Sequence, residues 1–483
     1  MSLRLSFYGG AGKVTGSNFL IEGARGRVLV DCGIEQGADL AAGEAYGPFP
    51  YDPAAIDALV VTHAHLDHVG RIPKLVRDGF RGKIYMTPPT RDLAALILLD
   101  SAHILAEEAA RLGREPLFGA EDVEAAFALV ETLEYHTEKE IAPGLSAYLR
   151  NTGHILGSAS VRIRDEEGVA VALTGDIGNS PSPLLPDWEP VTDADALVME
   201  SVYGDRLHPS QQARVELLRD ALAKAIKRGG TILIPAFSME RTQLMLYELS
   251  NFFTEASLPQ IPVFLDSPLA IRVTAVYEKW GMAYFKPETE DEMRREGSVF
   301  EFPFLKQTLS QEDSRAIEKV PGPKIIIAGA GMSHGGRIAR WETRYLPDPN
   351  STLFMVGYQA PGTPGRRMTD GVTSVRLGGI EVDIRAKIER LEGWSGHADR
   401  DGLLAFAESC LAPHSEGRQT SLTTRRLETI FTALGEPVAE RFLAQRIHDY
   451  LGARAIASEA GQTWEVTEDG VKRFREFRTE IRR

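Results

Sequence analysis

The segment Thr62-His-Ala-His-Leu-Asp-His-Val-Gly70 places three histidines and an aspartate within six residues. Imidazole nitrogen and carboxylate oxygen are ligand types that suit zinc, and a catalytic zinc keeps a coordination position open for water. The 483 residues contain two cysteines, Cys32 and Cys410, so any metal must be held by histidine and carboxylate rather than by thiolate. His63 and His65 alternate as strand residues do and point toward one ion, whereas Asp67 and His68 turn toward a second. A loop whose histidines merely hydrogen-bond one another would rarely pack four ligand types so densely. One loop cannot complete two sites, and further ligand types stand elsewhere. Asn151-Thr-Gly-His154 and Leu173-Thr-Gly-Asp176 each present one beside a glycine, which lets backbone approach a metal closely. Asp31, ending another apolar run, is better placed to orient a ligand than to bind metal.

Something must carry these residues to one place. Short apolar runs rich in Val, Ile and Leu end in Gly, Asp, His or Ser along much of the chain, as buried strands feeding loops would. They include Arg27 to Asp31, Ile56 to His63, Val169 to Asp176, Ala196 to Glu200, Gly230 to Phe237, Pro262 to Pro268, Lys324 to Gly331 and Ser351 to Gly357. Helical spacing fills some of the intervals, as from Gln211 to Lys227 and from Arg241 to Phe253, so the class is α/β. The charged stretch from about Glu288 to Arg315, broken by Pro303, reads as a surface region or lid of the middle unit. The length suggests two domains as a starting point. No apolar run approaches the roughly 20 residues that a membrane span needs, and the N-terminus carries no secretory pattern, so the expectation is a cytoplasmic protein without a membrane partner. A formal charge of −14 excludes broad coating of a polyphosphate, while leaving room for a local site built from metal and a few arginines.

The order His-x-His-x-Asp-His, Gly-His, Gly-Asp resembles the metallo-β-lactamase fold. That resemblance implies a four-layer αββα sandwich with His63, His65 and His154 on one zinc, Asp67 and His68 on the other, and Asp176 bridging. It also implies a metal hydroxide as nucleophile. Because the fold hosts lactamases, thioester hydrolases and nucleases, the metal motif alone does not choose a substrate. Later segments do. Met199-Glu-Ser-Val-Tyr-Gly-Asp-Arg206, Ile234-Pro-Ala-Phe-Ser-Met-Glu-Arg-Thr-Gln243, Asp266-Ser-Pro-Leu-Ala270, Gly331-Met-Ser-His-Gly-Gly-Arg337, Gly357 to Arg366 and Gly393-Trp-Ser-Gly-His-Ala-Asp399 are similar to the β-CASP nucleases. The similarity is to bacterial and archaeal relatives of the endonuclease subunit of the cleavage and polyadenylation factor. It implies a first part of the lactamase domain over 1–206, an inserted α/β β-CASP domain over 207–370 and a completing part over 371–483. The implied activity is zinc-dependent hydrolysis of single-stranded RNA, as an endonuclease, a 5′ exonuclease or both.

In that picture Asp67, Glu200 and His397 are catalytic. A carboxylate at Glu200 fixes and charges the His397 imidazole, which donates a proton to the departing ribose oxygen. Ser333, His334, Gly335 and Gly336 follow a strand and offer amides and side chains to a phosphate, and Arg366 and Arg367 follow a Gly-Thr-Pro-Gly turn with the same opportunity. The chain departs from the resemblance at Ile430-Phe-Thr-Ala-Leu-Gly-Glu-Pro437, where Leu434 stands in place of the last histidine of the RNA-cutting members. Leucine cannot coordinate metal, so the second zinc is expected to bind more weakly. DNA is the runner-up substrate, and a catalytically weak scaffold for RNA or a partner is a further alternative. His414 and His448 lack ligand-like surroundings in the sequence, the insertion from Ser415 to Arg426 is another departure, and formation of a homodimer stays open.

Overall fold

The run Ala170-Val-Ala-Leu173 is apolar at every position because each of its two faces is covered. Val171 and Leu173 point into one core and Ala172 into another, as the two-residue period of a strand requires. The computed structural model describes residues 2–35, 44–357, 359–360, 362–412 and 427–474. They form two compact units. One comprises 1–180, 187–207 and 397–483, the other 181–186 and 208–396.

In the first unit an eight-stranded sheet runs in the order Gly470–Arg473, Thr463–Thr467, Leu3–Gly9, Asn18–Glu22, Arg27–Val30, Ala58–Val60, Lys83–Met86, Val130–Thr132. A seven-stranded sheet runs Ala455–Ala457, Thr429–Ala433, Ala196–Glu200, Ala170–Leu173, Ala159–Asp165, Leu145–Asn151, Lys139–Ala142. Leu5, Phe7, Ile21 and Val30 of the first sheet meet Leu149, Val161, Val171, Val198 and Phe431 of the second in one buried cluster, so the sheets pack face to face. The outer side of the second sheet is closed by Leu403 and Phe406 of helix Arg400–Leu411 and by Leu443 and Ile447 of helix Pro437–Leu451. Helices Ile72–Arg77, Pro88–Leu112 and Ala120–Phe127 form the remaining layer. This is the four-layer αββα sandwich.

The second unit is built on a six-stranded sheet in the order Leu305–Gln307, Val263–Leu265, Lys324–Ala328, Thr231–Pro235, Thr352–Met355, Lys387–Arg390. Each of its pairings is parallel, with helices such as Gln211–Arg228 and Arg241–Thr254 in the connections. As a compact body this unit runs on to Gly396, past the expected end of the inserted domain at 370. The reason is that Lys387–Arg390 pairs with Thr352–Met355, while Val375, Leu377 and Val382 of the hairpin Ser374–Leu377/Ile380–Asp383 join the core of Leu353 and Met355. The stretch from Glu288 to Arg315 is largely exposed, as a surface region of this unit. It supplies the edge strand Leu305–Gln307, and Val299 and Phe300 within it are buried.

Candidate metal centre

Asp31, Thr62, His154, Asp176 and Glu200 all stand at or just beyond strand ends in the first unit. Parallel pairing of Arg27–Val30 with Ala58–Val60 puts Asp31 beside Thr62, and the Asp31 amide donates to the Val60 carbonyl at 2.9 Å. Asp31 then works as an acceptor hub. Its carboxylate takes the Thr62 amide at 2.8 Å, the Thr62 hydroxyl at 2.9 Å, the Ser17 hydroxyl at 2.9 Å and His68 Nδ1 at 2.7 Å. The loop carrying Asp67 and His68 is drawn in so closely that a Cβ on Gly33 would lie 1.6 Å from the Asp67 carbonyl oxygen. Only glycine fits there.

Four ligand atoms converge above this hub. His65 Nδ1 lies 3.0 Å from His63 Nε2 and 3.2 Å from His154 Nε2, and Asp176 Oδ2 lies 3.3 Å from His63 Nε2 and 3.4 Å from His154 Nε2. A tetrahedron of bonds about 2.0–2.1 Å long has edges of about 3.3–3.4 Å; these four separations are close to that, and all four ligand atoms lie within 4.8 Å of one another, a set of the size and chemistry that suits a divalent cation. Burial lowers the pKa of all three histidines, well below the ordinary value for His65 and His154, and neighbouring imidazoles add to the effect. They are neutral, the state that offers a lone pair. Burial also opposes charge on Asp176, but His68, His63 and His397 outweigh it and hold the carboxyl well below its usual range.

Around a second position the set is thinner. His68 Nε2 is buried with no hydrogen-bond partner and lies 3.5 Å from Asp176 Oδ1. Burial acts against a charge on this ring, yet Asp176 and Asp31 prevail and hold its pKa well above the ordinary value. A buried, unpartnered nitrogen aimed beside a carboxylate fits a cation position with few protein ligands, and a cation there has to displace the proton that Asp176 and Asp31 favour on the ring. Asp67 is outside both clusters of potential ligands found among the described residues, and burial raises its pKa.

Beside the first set stands an acid–imidazole pair. His397 Nδ1 lies 3.2 Å and 3.3 Å from the two oxygens of Glu200 and 3.8 Å from Asp176 Oδ2. Glu200 is fully buried and also accepts from the Ile177 amide. Burial works against a charged His397, but Glu200 and Asp176 carry its pKa to about 10. Burial raises Glu200 as well, so the pair keeps a shared proton through neutrality.

Comparison with known proteins adds to this geometry. The description "Metallo-beta-lactamase superfamily" matches residues 11–236, "Beta-Casp domain" matches 242–368, and "Zn-dependent metallo-hydrolase RNA specificity domain" matches 381–415. A Thermus thermophilus protein named as a ribonuclease is 39% identical over 407 residues, spanning 84% of this chain and 91% of its own. The chain belongs to the β-CASP branch of the metallo-β-lactamase superfamily. Other relatives include an RNase J-like protein of Methanocaldococcus jannaschii, 31% identical across 85% of this chain and 90% of its own. A transcription termination factor of Pyrococcus abyssi is 31% identical across 93% of this chain and 69% of its own.

Other residues singled out in this β-CASP chain fall differently. Ser333 is a correction: its side chain is buried and its hydroxyl donates to Glu342 Oε1 at 2.5 Å, so it is engaged inside the second unit rather than offered to a phosphate. Its amide donates to Ala330, the Gly335 carbonyl accepts from Ala330, and the Ile338 amide is taken by Gly329. His334 is exposed, and Gly336 opens helix Gly336–Tyr345. Arg366, on the surface of the same unit, holds Asp370 at 2.9 Å. Leu434 is 2% exposed and belongs to the core between the two sheets of the first unit. His448 is exposed on helix Pro437–Leu451, and His414 and Ser415 to Arg426 are outside the described residues. Sequence reasoning missed Ser17 and Thr62 as the clamps of Asp31. Thr62 had the signal of adjoining the histidine cluster, and Ser17 had none.

Proposed function

We propose that this chain is a zinc-dependent ribonuclease that hydrolyses phosphodiester bonds of single-stranded RNA, internally, from the 5′ end, or both. The observation that carries the reading is the convergence of ligand atoms of His63, His65, His154 and Asp176 within 4.8 Å of one another, beside the Glu200–His397 pair. His63, His65, His154 and Asp176 would hold one zinc, and Asp176 with His68 and Asp67 a second and weaker one. Zinc bound there supplies Lewis acidity toward a phosphoryl oxygen and lowers the pKa of a coordinated water. Asp67, buried and interacting electrostatically with His68 and Asp176, would act as a ligand of that second ion beside the attacking water. Glu200 fixes His397 at Nδ1, which leaves Nε2 to carry the proton delivered to the departing ribose oxygen. RNA as substrate is supported by relatives named as ribonuclease and RNase J-like and by the match to an RNA specificity domain.

The test is cleavage of end-labelled single-stranded RNA and DNA with added zinc or with chelator, alongside Asp176→Asn. Cutting of RNA that zinc supports, chelator stops and the variant lacks is the expected result. Undiminished cutting by Asp176→Asn, once contaminating nuclease is excluded, would reject it. DNA cut in preference to RNA would favour the alternative raised by the apolar Leu434.

A further inference from the structure

Three residues past Glu200, the chain places an aromatic ring beside His397. Tyr203 is half-buried and belongs to neither apolar cluster of the first unit. Its ring centroid lies 6.2 Å from that of His397, with the two planes at 44°. The turn is held firmly. Tyr203 bridges Asp399, the Arg400 amide donates to the Arg206 carbonyl, and the Ser201 hydroxyl donates to the Ala433 carbonyl at 2.7 Å. A Cβ on Gly204 would lie 2.9 Å from both the Ala439 carbonyl oxygen and the Leu443 side chain, so the turn is pressed against helix Pro437–Leu451. The guanidinium of Arg206 sits 5.6 Å from the Tyr203 centroid and is itself held by Asp205 at 2.8 Å.

We propose that Tyr203, backed by Arg206, is a stacking platform for a nucleobase next to the bond that is cut, and so a specificity-determining residue. The inference rests on the ribonuclease reading. Three considerations favour it. A rigid, partly exposed aromatic beside the proton donor has a face of the right size for a base, and every base has a π-face to offer. Asp205 holds Arg206 with its guanidinium over the Tyr203 ring, which backs that ring and leaves the cation less free to clamp a phosphate. A chain of net charge −14 draws little affinity for a polyanion from bulk electrostatics, so contacts to the bases carry more of the binding.

The experiment compares zinc-loaded wild type, Tyr203→Ala, Tyr203→Leu and Tyr203→Phe on a single-stranded RNA and on versions lacking one base at successive positions around the cut. Metal content is measured for each protein. We expect KM to rise about 5- to 150-fold in Tyr203→Ala and Tyr203→Leu with metal content unchanged, and Tyr203→Phe to stay near wild type. Removing one particular base should weaken wild type and Tyr203→Phe by a comparable factor while leaving Tyr203→Ala and Tyr203→Leu unaffected, a coupling that loss of structure alone does not produce. Equal sensitivity of all four proteins to every missing base would overturn the platform while the ribonuclease reading stands. Should Tyr203→Ala not fold, Tyr203→Leu and the base-removal pattern of wild type against Tyr203→Phe still decide. Failure of wild type to cut any RNA would remove both proposals together.

Discussion

Asp31 touches no metal-ligand atom cluster directly, yet four hydrogen bonds make it the residue on which the centre depends. An ionised aspartate only accepts, and each of its partners here has a proton to give: the Thr62 amide and hydroxyl, the Ser17 hydroxyl and His68 Nδ1. Fixing the proton on Nδ1 also fixes which His68 nitrogen faces Asp176. Asparagine at this position would turn an NH2 toward donors. We therefore expect Asp31→Asn to fold but to hold metal about 10- to 100-fold more weakly, read by competition with a chromophoric chelator. Unchanged affinity would remove Asp31 from the account. The histidine cluster was legible in sequence because imidazoles at that density have few other uses. Ser17 and Thr62 were not, since a hydroxyl becomes informative only when its partner is known. Ser333 shows the same limit from the other side: its place after a strand suggested a phosphate loop, but sequence does not reveal that the hydroxyl turns inward to Glu342.

At the scale of elements, strand ends were the most legible feature. The eight apolar runs singled out in the sequence are all strands, and the ligand residues follow them because loops after buried strands are where side chains can converge. Helix Gly336–Tyr345 illustrates what stayed hidden. It buries Glu342 completely, with one oxygen on Ser333 and the other without a partner, and burial raises this carboxyl to about 8 against an ordinary value of 4.5. The consequence for stability has a definite sign. Between pH 4.5 and about 8 the folded chain keeps a proton on Glu342 that the unfolded chain has lost, so folding stability falls as pH rises through that window, by up to about 1.4 kcal/mol per pH unit. Glutamine keeps an acceptor for Ser333 and never ionises. Glu342→Gln should therefore gain stability over wild type progressively from pH 5 to pH 8, seen as unfolding midpoints that diverge with pH. Midpoints that stay parallel would mean that Glu342 is already ionised in the folded chain.

For the molecule as a whole, the inserted unit was legible from its motifs but its far boundary was not. The strand that extends the sheet, Lys387–Arg390, is polar and mostly exposed, and the preceding hairpin carries no continuous apolar run, so neither announces a core. Net charge is a whole-chain property with a more direct consequence for function. Three basic side chains of the first unit are held by carboxylates: Lys13 lies 2.6 Å from Glu35, Arg206 2.8 Å from Asp205 and Arg400 2.9 Å from Asp401. With the chain at −14 overall, few phosphates are neutralised by protein cations when RNA binds, and few counterions are released. For single strands the slope of log affinity against log salt is about −0.7 per phosphate neutralised, so three such contacts give a slope near −2. Affinity of a non-cleaved RNA analogue for the zinc-loaded protein should then fall only about 16-fold between 50 and 200 mM salt, in a range where a basic RNA-binding surface loses a thousandfold or more. Filter binding across that range measures the slope. A value near −6 would mean that a cationic surface gathers the RNA despite the acidic total, and that stacking at Tyr203 adds little to affinity.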